Sequence, residues 1–327
     1  MKRILAGALG AVALASTTML TAMPASAALT TRCVGEGGAV TVPGDLVVPS
    51  GQTCLLSGTT VAGDVRVAQG ADLIASEATF EGRVVGAADA YVELTDSSVA
   101  GEVRLVDAFG GLIERSEVSE RVLVRENSSD YTFALVLESD LGADLVARGG
   151  EVFVDQSQIT GSVNSRDSRY TDVYASFVDG DVRVQTASAG SLLCQASVQG
   201  VAVLRDNAGT VQIGADGPGF PCEGGSYVGG NVVAEGNTGG VYVDDVIING
   251  RLRVAENDPA AVIGDGVMAR GGVVGESAEE AAVSLMERSG RSAGPAQSRD
   301  QALQERVAER QGEARAEAEQ AGAADLG

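Results

Sequence analysis

The pentapeptide VAGDV at residues 61–65 recurs in near-copies along most of this chain. Each copy begins with an apolar residue, and most have Gly at the third position and an apolar residue at the fifth. The copies start at Val42, Val61, Phe80, Val99, Val118, Leu141, Ile159, Val178, Val198, Val228 and Ile248, with a degenerate copy at Val267. Successive starts lie 18–20 residues apart, except for two longer steps of 23 and 30. This spacing predicts a repeat protein whose units stack on one another.

Each repeat of about 19 residues has apolar residues at alternating positions, as at Val61, Val65 and Val67. An alternation with period two is typical of β-strands. Further short alternating stretches follow in each unit, which indicates three short strands per repeat. Leucine-rich repeats would need regular Leu ladders, and a propeller blade would need about twice this period. The sequence therefore predicts an all-β parallel β-helix solenoid of about 12 coils.

Side chains at equivalent positions of successive units support this stacking. The fourth position of the phrase carries alternating charges at Asp64, Arg83, Glu102 and Arg121, preceded by Asp45, as expected for lateral neighbours. Gly at the third position is expected at a corner where a side chain would crowd the adjacent coil. An Asn recurs at the tenth position, which predicts a corner residue in the left-handed conformation with a side-chain ladder. These residues are Asn127, Asn207, Asn237 and Asn257.

The four cysteines are expected to form two disulfides, Cys33 with Cys54 and Cys194 with Cys222. Cys194 and Cys222 precede their next phrases, at Val198 and Val228, by four and six residues, which places them in adjacent coils. Such neighbours satisfy the spacing that a disulfide requires. The Cys194–Cys222 disulfide would hold the long loop at residues 214–226 in place. The Cys33–Cys54 disulfide would fix the segment that enters the solenoid.

The two ends of the chain differ in composition from the repeats. Residues 1–27 combine Lys2 and Arg3, an apolar run and the box Ala25-Ser26-Ala27, and they predict a secretory signal peptide cleaved before Ala28. Residues 28–41 are expected to form an N-terminal cap, residues 42–275 the β-helix, and residues 276–290 a helix that caps the last coil. Residues 291–327 are rich in Ala, Glu, Arg and Gln, and they predict a helical or disordered tail.

The composition excludes several classes of function. The 327-residue chain contains no His and one Lys, and its formal net charge is −22. Histidine acid–base catalysis, histidine metal ligation and the Ser-His-Asp triad are impossible without His. A nucleic-acid partner is not expected for so acidic a chain. Outside the signal peptide, the sequence has no apolar run long enough to predict a membrane span.

The GxV-type phrases over residues 42–274 resemble two known groups. One is the pectin-lyase-like superfamily, and the other is the bactofilin group of polymer-forming bacterial proteins, which has similar phrases such as VAGDV and VDGDV. The resemblance implies a right-handed parallel β-helix. Bactofilins are cytoplasmic, whereas this chain begins with a predicted export signal.

Pectin-lyase-like enzymes suggest what a catalytic site on this fold would contain. Polygalacturonase-like members carry an Asn-Thr-Asp element, a paired Asp, a Gly-His-Gly and an Arg-Ile-Lys. Here Asn237-Thr238 is followed by Gly239, and Asp244-Asp245 is the only counterpart of the pair. Asp244 and Asp245 are thus the candidate catalytic carboxylates if the protein is an enzyme, against the alternative of a solvated corner.

No cofactor is predicted, and a Ca²⁺ site stays a minor alternative because no dense Asp run is present. Lyases of this fold use Ca²⁺ held by Asp and Glu, and carboxylates such as Asp179 and Asp181 are abundant here. Tyr170 and Tyr174 are close in sequence and would either stack on a sugar or pack within the protein.

The function predicted from these patterns is that of a secreted, non-enzymatic structural or adhesion protein at the bacterial cell exterior. Its expected location is extracellular, with cell-wall association as one form. The expected partners are a cell-wall glycan, a host glycan or a surface protein, and the chain would be a monomer or assemble end to end. Two alternatives stand beside this function: a polysaccharide-active lyase or glycoside hydrolase, and an exported self-assembling filament.

Overall fold

The computed structural model describes residues 30–127, 132–215, 217, 221–278 and 295–326. The predicted signal peptide and residues 279–290 of the predicted capping helix lie outside these ranges. Within the described residues the strands form three parallel sheets of 13, 13 and 12 strands, here called sheets A, B and C. The chain visits A, B and C in turn, which confirms the predicted β-solenoid, and one more coil is present than the phrases alone indicated.

The strands of sheet A are Thr30–Arg32, Asp45–Val48, Val65–Val67, Val84–Gly86, Val103–Val106, Val122–Arg125, Leu145–Arg148, Val163–Arg166, Val182–Gln185, Ala202–Arg205, Val232–Glu235, Leu252–Ala255 and Val273–Gly275. The strands of sheet B are Gly35–Gly37, Thr53–Ser57, Asp72–Ser76, Tyr91–Thr95, Gly110–Glu114, Phe133–Leu137, Glu151–Asp155, Tyr170–Tyr174, Gly190–Cys194, Thr210–Gly214, Val241–Asp244, Ala261–Ile263 and Ser277–Ala278. The strands of sheet C are Thr41–Val42, Thr60–Val61, Thr79–Phe80, Ser98–Val99, Glu117–Val118, Asp140–Leu141, Gln158–Ile159, Phe177–Val178, Ser197–Val198, Ser226–Val228, Val246–Ile248 and Val267–Ala269. Coils are numbered 1 to 13 by their sheet A strand.

Apolar residues of the repeated phrase fill the inside of the solenoid. Val61, Val65 and Val67 are fully buried, whereas Arg66 between the last two is exposed. Val65 pairs with Val84 and Val84 with Val103, so equal positions of successive repeats become lateral neighbours. This register stacks one apolar column upon the next and produces a continuous core.

The third and fourth positions of the phrase form a tight corner. A Cβ built on Gly101 would lie 2.8 Å from the carbonyl oxygen of Gly82 in the preceding coil, so a side chain has no room there. The Asp64 carboxylate accepts the backbone amide of Arg83 at 2.9 Å and also pairs with the Arg83 guanidinium. The predicted charge ladder is therefore confirmed, and its carboxylates bond to the backbone of the next coil as well.

Two further ladders of polar side chains run through the interior. In the first, the Oγ of a buried Ser accepts a backbone amide from the preceding coil, as Ser116 does for Ser97 at 3.0 Å. In the second, Asn237 Oδ1 accepts the amide of Asn207 at 3.0 Å, and Asn257 Oδ1 accepts that of Asn237 at 3.0 Å. These bonds satisfy backbone groups that would otherwise be buried without partners.

The predicted Asn ladder is confirmed, but the predicted left-handed conformation belongs to the preceding residue. Asp206 has φ 54°, Gly236 has φ 69° and Glu256 has φ 56°. Placing the left-handed residue first lets the following Asn side chain turn inward to bond to the neighbouring coil. Asn127 differs from the others, because it is exposed and bonds to Asp107 through both its amide and its side chain.

Both predicted disulfides are present. Cys33 is bonded to Cys54 with a Cα–Cα distance of 5.5 Å, and Cys194 is bonded to Cys222 with a Cα–Cα distance of 5.8 Å. The first joins coils 1 and 2, and the second holds the long loop of coil 10 against coil 9.

The two predicted caps look different in the structure. Residues 30–42 contribute a strand to each sheet and are coil 1 of the solenoid itself. At the other end, Ser277–Ala278 continues sheet B beside Ala261–Ile263, so the start of the predicted capping helix is a strand. The tail is helical from Pro295 to Ala321 (α1) and lies along sheet B, contacting its strands, instead of extending into solvent. No helix among the described residues is long and apolar enough to cross a membrane.

Candidate functional site

The outer face of sheet B in coils 2–8 carries buried acidic side chains. Two columns of side chains point outward from it. The first column contains Thr53, Asp72, Tyr91, Gly110, Phe133, Glu151 and Tyr170. The second column contains Leu55, Ile74, Glu93, Leu112, Leu135, Phe153 and Asp172. Acidic, aromatic and aliphatic groups thus alternate along a face that a solvent-exposed sheet would keep polar.

Helix α1 covers this face together with the residues that follow it. We call residues 295–326 the C-terminal strap. The helix has 27 residues and spans about 40 Å at 1.5 Å per residue. Eight coil steps at about 4.8 Å give nearly the same length, so the strap can reach from coil 9 to coil 1.

Four arginines of the strap bond to four buried carboxylates of sheet B. The N–O distances are 2.7 Å for Arg299 and Asp172, 3.1 Å for Arg306 and Glu151, 2.9 Å for Arg310 and Asp72, and 3.2 Å for Arg315 and Glu93. None of the four carboxylate residues is more than 4% exposed. Glu151 also pairs with Arg169 of the neighbouring coil.

Apolar and aromatic contacts complete the interface between the strap and sheet B. Leu303, Val307 and Ala314 are buried in one cluster with Tyr91 and other residues of the two outward columns. An aromatic group lies beneath them, in which Phe109 and Phe133 meet edge to face at 5.5 Å between ring centroids. A side chain at Gly110 would clash with the Phe133 ring, so this Gly makes room for the aromatic group.

Arginines of the strap also lie over aromatic rings. The Arg299 guanidinium lies 4.5 Å from the centroid of the Tyr170 ring, and that of Arg310 lies 5.3 Å from the centroid of Phe109. Such cation–π contacts strengthen when water is excluded. The strap therefore binds sheet B through paired charges, ring faces and a thin line of apolar side chains.

Burial is the largest cause of the pKa shifts of Asp72, Asp172 and Tyr91 on this face. Desolvation raises the pKa of Asp72 to about 6, and the attraction of Arg310 offsets only part of this effect. Desolvation likewise raises the pKa of Asp172, against the opposing effect of Arg299. The pKa of Tyr91 is raised because its hydroxyl is buried and lies next to Glu93. These groups favour their neutral forms more than their exposed counterparts do.

The strap ends by adding to the edge of coil 1. The Glu36 amide donates to the Gly322 carbonyl at 2.8 Å, and the Ala324 amide donates to the Glu36 carbonyl at 2.8 Å. Glu36 and Ala323 thereby form a parallel β-bridge. Leu326 is 6% exposed and belongs to the main core, where it covers the N-terminal opening of the solenoid interior, here called the core mouth.

The predicted carboxylate pair lies elsewhere, at a corner of coil 11. Asp244 Oδ1 accepts the backbone amides of Asp245 at 2.8 Å and Gly266 at 2.9 Å. Asp245 has φ 43° and occupies the left-handed position of that corner. The structure therefore places both residues at a corner and does not bring them together with the carboxylates of coils 3–8.

The other candidates from the sequence have varied environments. Tyr170 is fully buried beneath Arg299, and Tyr174 is half-buried beside the Cys194–Cys222 disulfide, so the two do not form an exposed stacking patch. Among the residues that the structure describes, no three His, Cys, Asp or Glu side chains are grouped to hold a metal ion. The Ca²⁺ alternative stays a prediction.

Sequence reasoning did not identify the strap interface, although the tail contains a signal for it. Arg299, Leu303, Arg306, Arg310 and Ala314 recur every three or four residues, which puts them on one face of a helix. That pattern was obscured because the same segment carries many carboxylates and few apolar residues.

The chain matches no protein-family model, no curated protein and no solved structure in comparisons with known proteins. Its parallel β-solenoid agrees with the fold that the phrase resemblance implied, and membership of the pectin-lyase-like superfamily or of the bactofilin group stays a prediction.

Proposed function

We propose that this protein is a secreted, non-enzymatic β-solenoid that acts as a structural or adhesive element at the bacterial cell exterior. One observation carries the proposal: four of the acidic side chains on the outer face of sheet B are already bonded to arginines of the chain's own strap. An enzyme would need such groups to face a substrate. Here they hold a helix in place.

The covalent and polar construction supports an exterior location. Disulfides persist mainly in oxidising compartments outside the cytoplasm, and this chain has two. Ladders of Ser, Asn and Asp side chains join neighbouring coils by hydrogen bonds. A rod held in this way keeps its shape without a large globular core, which suits a stalk or a presenting surface.

A glycan of the cell wall or of a host, or another surface protein, is the partner class that we propose. The purified chain should be incubated with isolated cell-wall sacculi, with soluble wall polysaccharides and on a panel of host glycans. We expect retention without any increase in reducing ends or unsaturated sugar products. A blank result on every support would contradict the adhesive function.

The same samples test the enzymatic alternative. A polysaccharide lyase or glycoside hydrolase would release new chain ends, and the release would fall in the Asp244→Asn and Asp245→Asn variants if these carboxylates were catalytic. Turnover that depends on either residue would overturn the non-enzymatic proposal. Turnover that survives both substitutions would also overturn it and would direct attention to another surface.

A further inference from the structure

Parallel solenoids have a particular hazard at their two ends. The terminal strands expose unpaired backbone groups that can pair with any strand of suitable direction. In this chain the two ends of the solenoid differ in how far their terminal coils are covered. Coil 1 pairs with the C-terminal strap through Glu36 and Ala323, whereas in coil 13 Val273 and Val274 are 48% and 51% exposed.

The register of the coils defines what a further coil at the N-terminal end would look like. In sheet B, Gly35 and Glu36 belong to the same columns as Ser277 and Ala278 at the other end. A second copy stacked with its coil 13 on this coil 1 would therefore place its Ala278 beside Glu36. That position is occupied by Ala323 of the same chain.

The end of the strap resembles the sheet B strand of coil 13 in its direction and in the small size of its residues. Its bridge to Glu36 is parallel, like every other strand pair of sheet B. Its residues there are small, as are Ser277 and Ala278. Leu326 then packs into the core mouth, where an apolar residue of a further coil would lie.

Two glycines of coil 1 make room for the strap. A Cβ on Gly35 would overlap the Gly322 carbonyl, and a Cβ on Gly37 would crowd a methyl group of Leu326. The edge of coil 1 is thus shaped to accept this segment closely.

We infer that residues 322–326 are an intrachain plug that prevents head-to-tail stacking of a second copy, coil 13 onto coil 1. The partner that the plug excludes is another molecule of this protein. Its Val273–Gly275 would extend sheet A beside Thr30–Arg32, and its Ser277–Ala278 would extend sheet B beside Gly35–Gly37. This inference is independent of the adhesive function proposed above.

Two substitutions in the full chain open the plug by different means. Leu326→Asp puts a charge at the core mouth, and Ala324→Pro removes the amide that donates to Glu36. Asp325→Ala is the matched control, because Asp325 is exposed between these two positions. Sedimentation velocity across a concentration series and negative-stain microscopy give the assembly state, while circular dichroism confirms that each variant keeps its β fold.

We expect the wild type and Asp325→Ala to sediment as monomers. Leu326→Asp and Ala324→Pro should form linear species at multiples of the monomer mass, increasing with concentration. Folded variants that stay monomeric throughout would overturn the inference. So would a wild type that already assembles to the same extent.

A charge at the opposite end tests the register of stacking. In sheet A, Val274 belongs to the column that contains Arg32, so the two would be adjacent across the junction. In the Leu326→Asp background, Val274→Arg should suppress assembly by repulsion from Arg32, and Val274→Glu should preserve it. Equal assembly of the two double variants, or branched aggregates in either, would contradict head-to-tail stacking.

Discussion

Asp172 in coil 8 and Arg299 in the strap form an ion pair of 2.7 Å between Oδ2 and Nη2, although they are 127 residues apart in sequence. The Asp172 side chain is fully buried and that of Arg299 is 12% exposed. The pair therefore fixes the first turns of the strap to the solenoid in a place from which water is excluded.

Breaking this pair should be costly. Arg299→Ala leaves a buried carboxylate without its partner, and we expect the free energy of unfolding to fall by about 3 kcal/mol. Urea unfolding followed by circular dichroism measures the change. Arg83→Ala is the matched control, since Arg83 pairs with Asp64 at an exposed site and should change stability far less. Equal losses in the two variants would contradict the importance of burial.

Asp72 should make the stability depend on pH. Burial raises its pKa to about 6 in the folded protein, from an ordinary value of 3.8. Because the folded state binds the proton more tightly than the unfolded state, the ionised Asp72 lowers the free energy of unfolding above pH 6. This destabilisation disappears as the pH falls toward 4. Asp72→Asn should therefore stabilise the protein at pH 8 and have little effect at pH 4.

The opposite sign is expected at Asp64. Hydrogen bonds from Arg83 lower the pKa of Asp64, so the stability that this carboxylate contributes is present above its ordinary pKa and is lost in acid. Asp64→Asn should weaken the fold at pH 7 and have no effect at strongly acidic pH. Thermal unfolding midpoints of Asp72→Asn and Asp64→Asn, measured from strongly acidic pH to pH 8, check both expected directions of the stability change. Parallel pH profiles would contradict the opposite directions of the pKa shifts of Asp72 and Asp64.

The Asn ladder should contribute strongly to stability at its centre. Asn237→Ala removes the acceptor for Asn207 and the donor to the Leu204 carbonyl, all in a buried place. We expect a loss of about 2–4 kcal/mol, because several buried groups lose partners at once. Asn127→Ala is the control, as Asn127 is exposed. Chemical denaturation of both variants makes the comparison, and a similar small loss in both would argue against a cooperative ladder.

The Cys194–Cys222 bridge should stabilise coils 9 and 10 in particular. Its sequence separation is 28, for which the chain-entropy relation gives about 3–4 kcal/mol. Replacing both cysteines with Ala should increase amide hydrogen exchange in residues 210–214 and 226–228 while coils 2–5 keep their protection. Uniform loss of protection along the whole rod would instead indicate that the solenoid unfolds as one unit.

The repeated phrase made the solenoid and its register predictable from the sequence. Its period determines which residues become neighbours, so the spacing was enough to place the Asp64–Arg83 contact, the Asn237 ladder and the Cys194–Cys222 disulfide. The Cys33–Cys54 disulfide was instead predicted from the closeness of the two cysteines in sequence. Coil 1 was not predicted because the phrase first appears at Val42, where coil 1 ends. Residues 30–42 are recognisable as a coil only through pairing with coil 2.

The strap interface was much harder to predict, for a physical reason. Its strength comes from pairing Arg299, Arg306 and Arg310 with carboxylates far away in sequence, and no local pattern reports such partners. Asp72 and Asp172 occupy outward positions of their strands. Only their burial beneath a helix gives them their role, and that burial is a property of the tertiary structure.

The bridge between Glu36 and Ala323 also determines when the edge of coil 1 can be paired during synthesis. Synthesis delivers coil 1 long before residues 322–326. During that interval the N-terminal edge of sheet B lacks the partner that Ala323 provides in the folded protein. A product that stops short of residue 322 therefore lacks the segment that pairs with the edge of its own first coil.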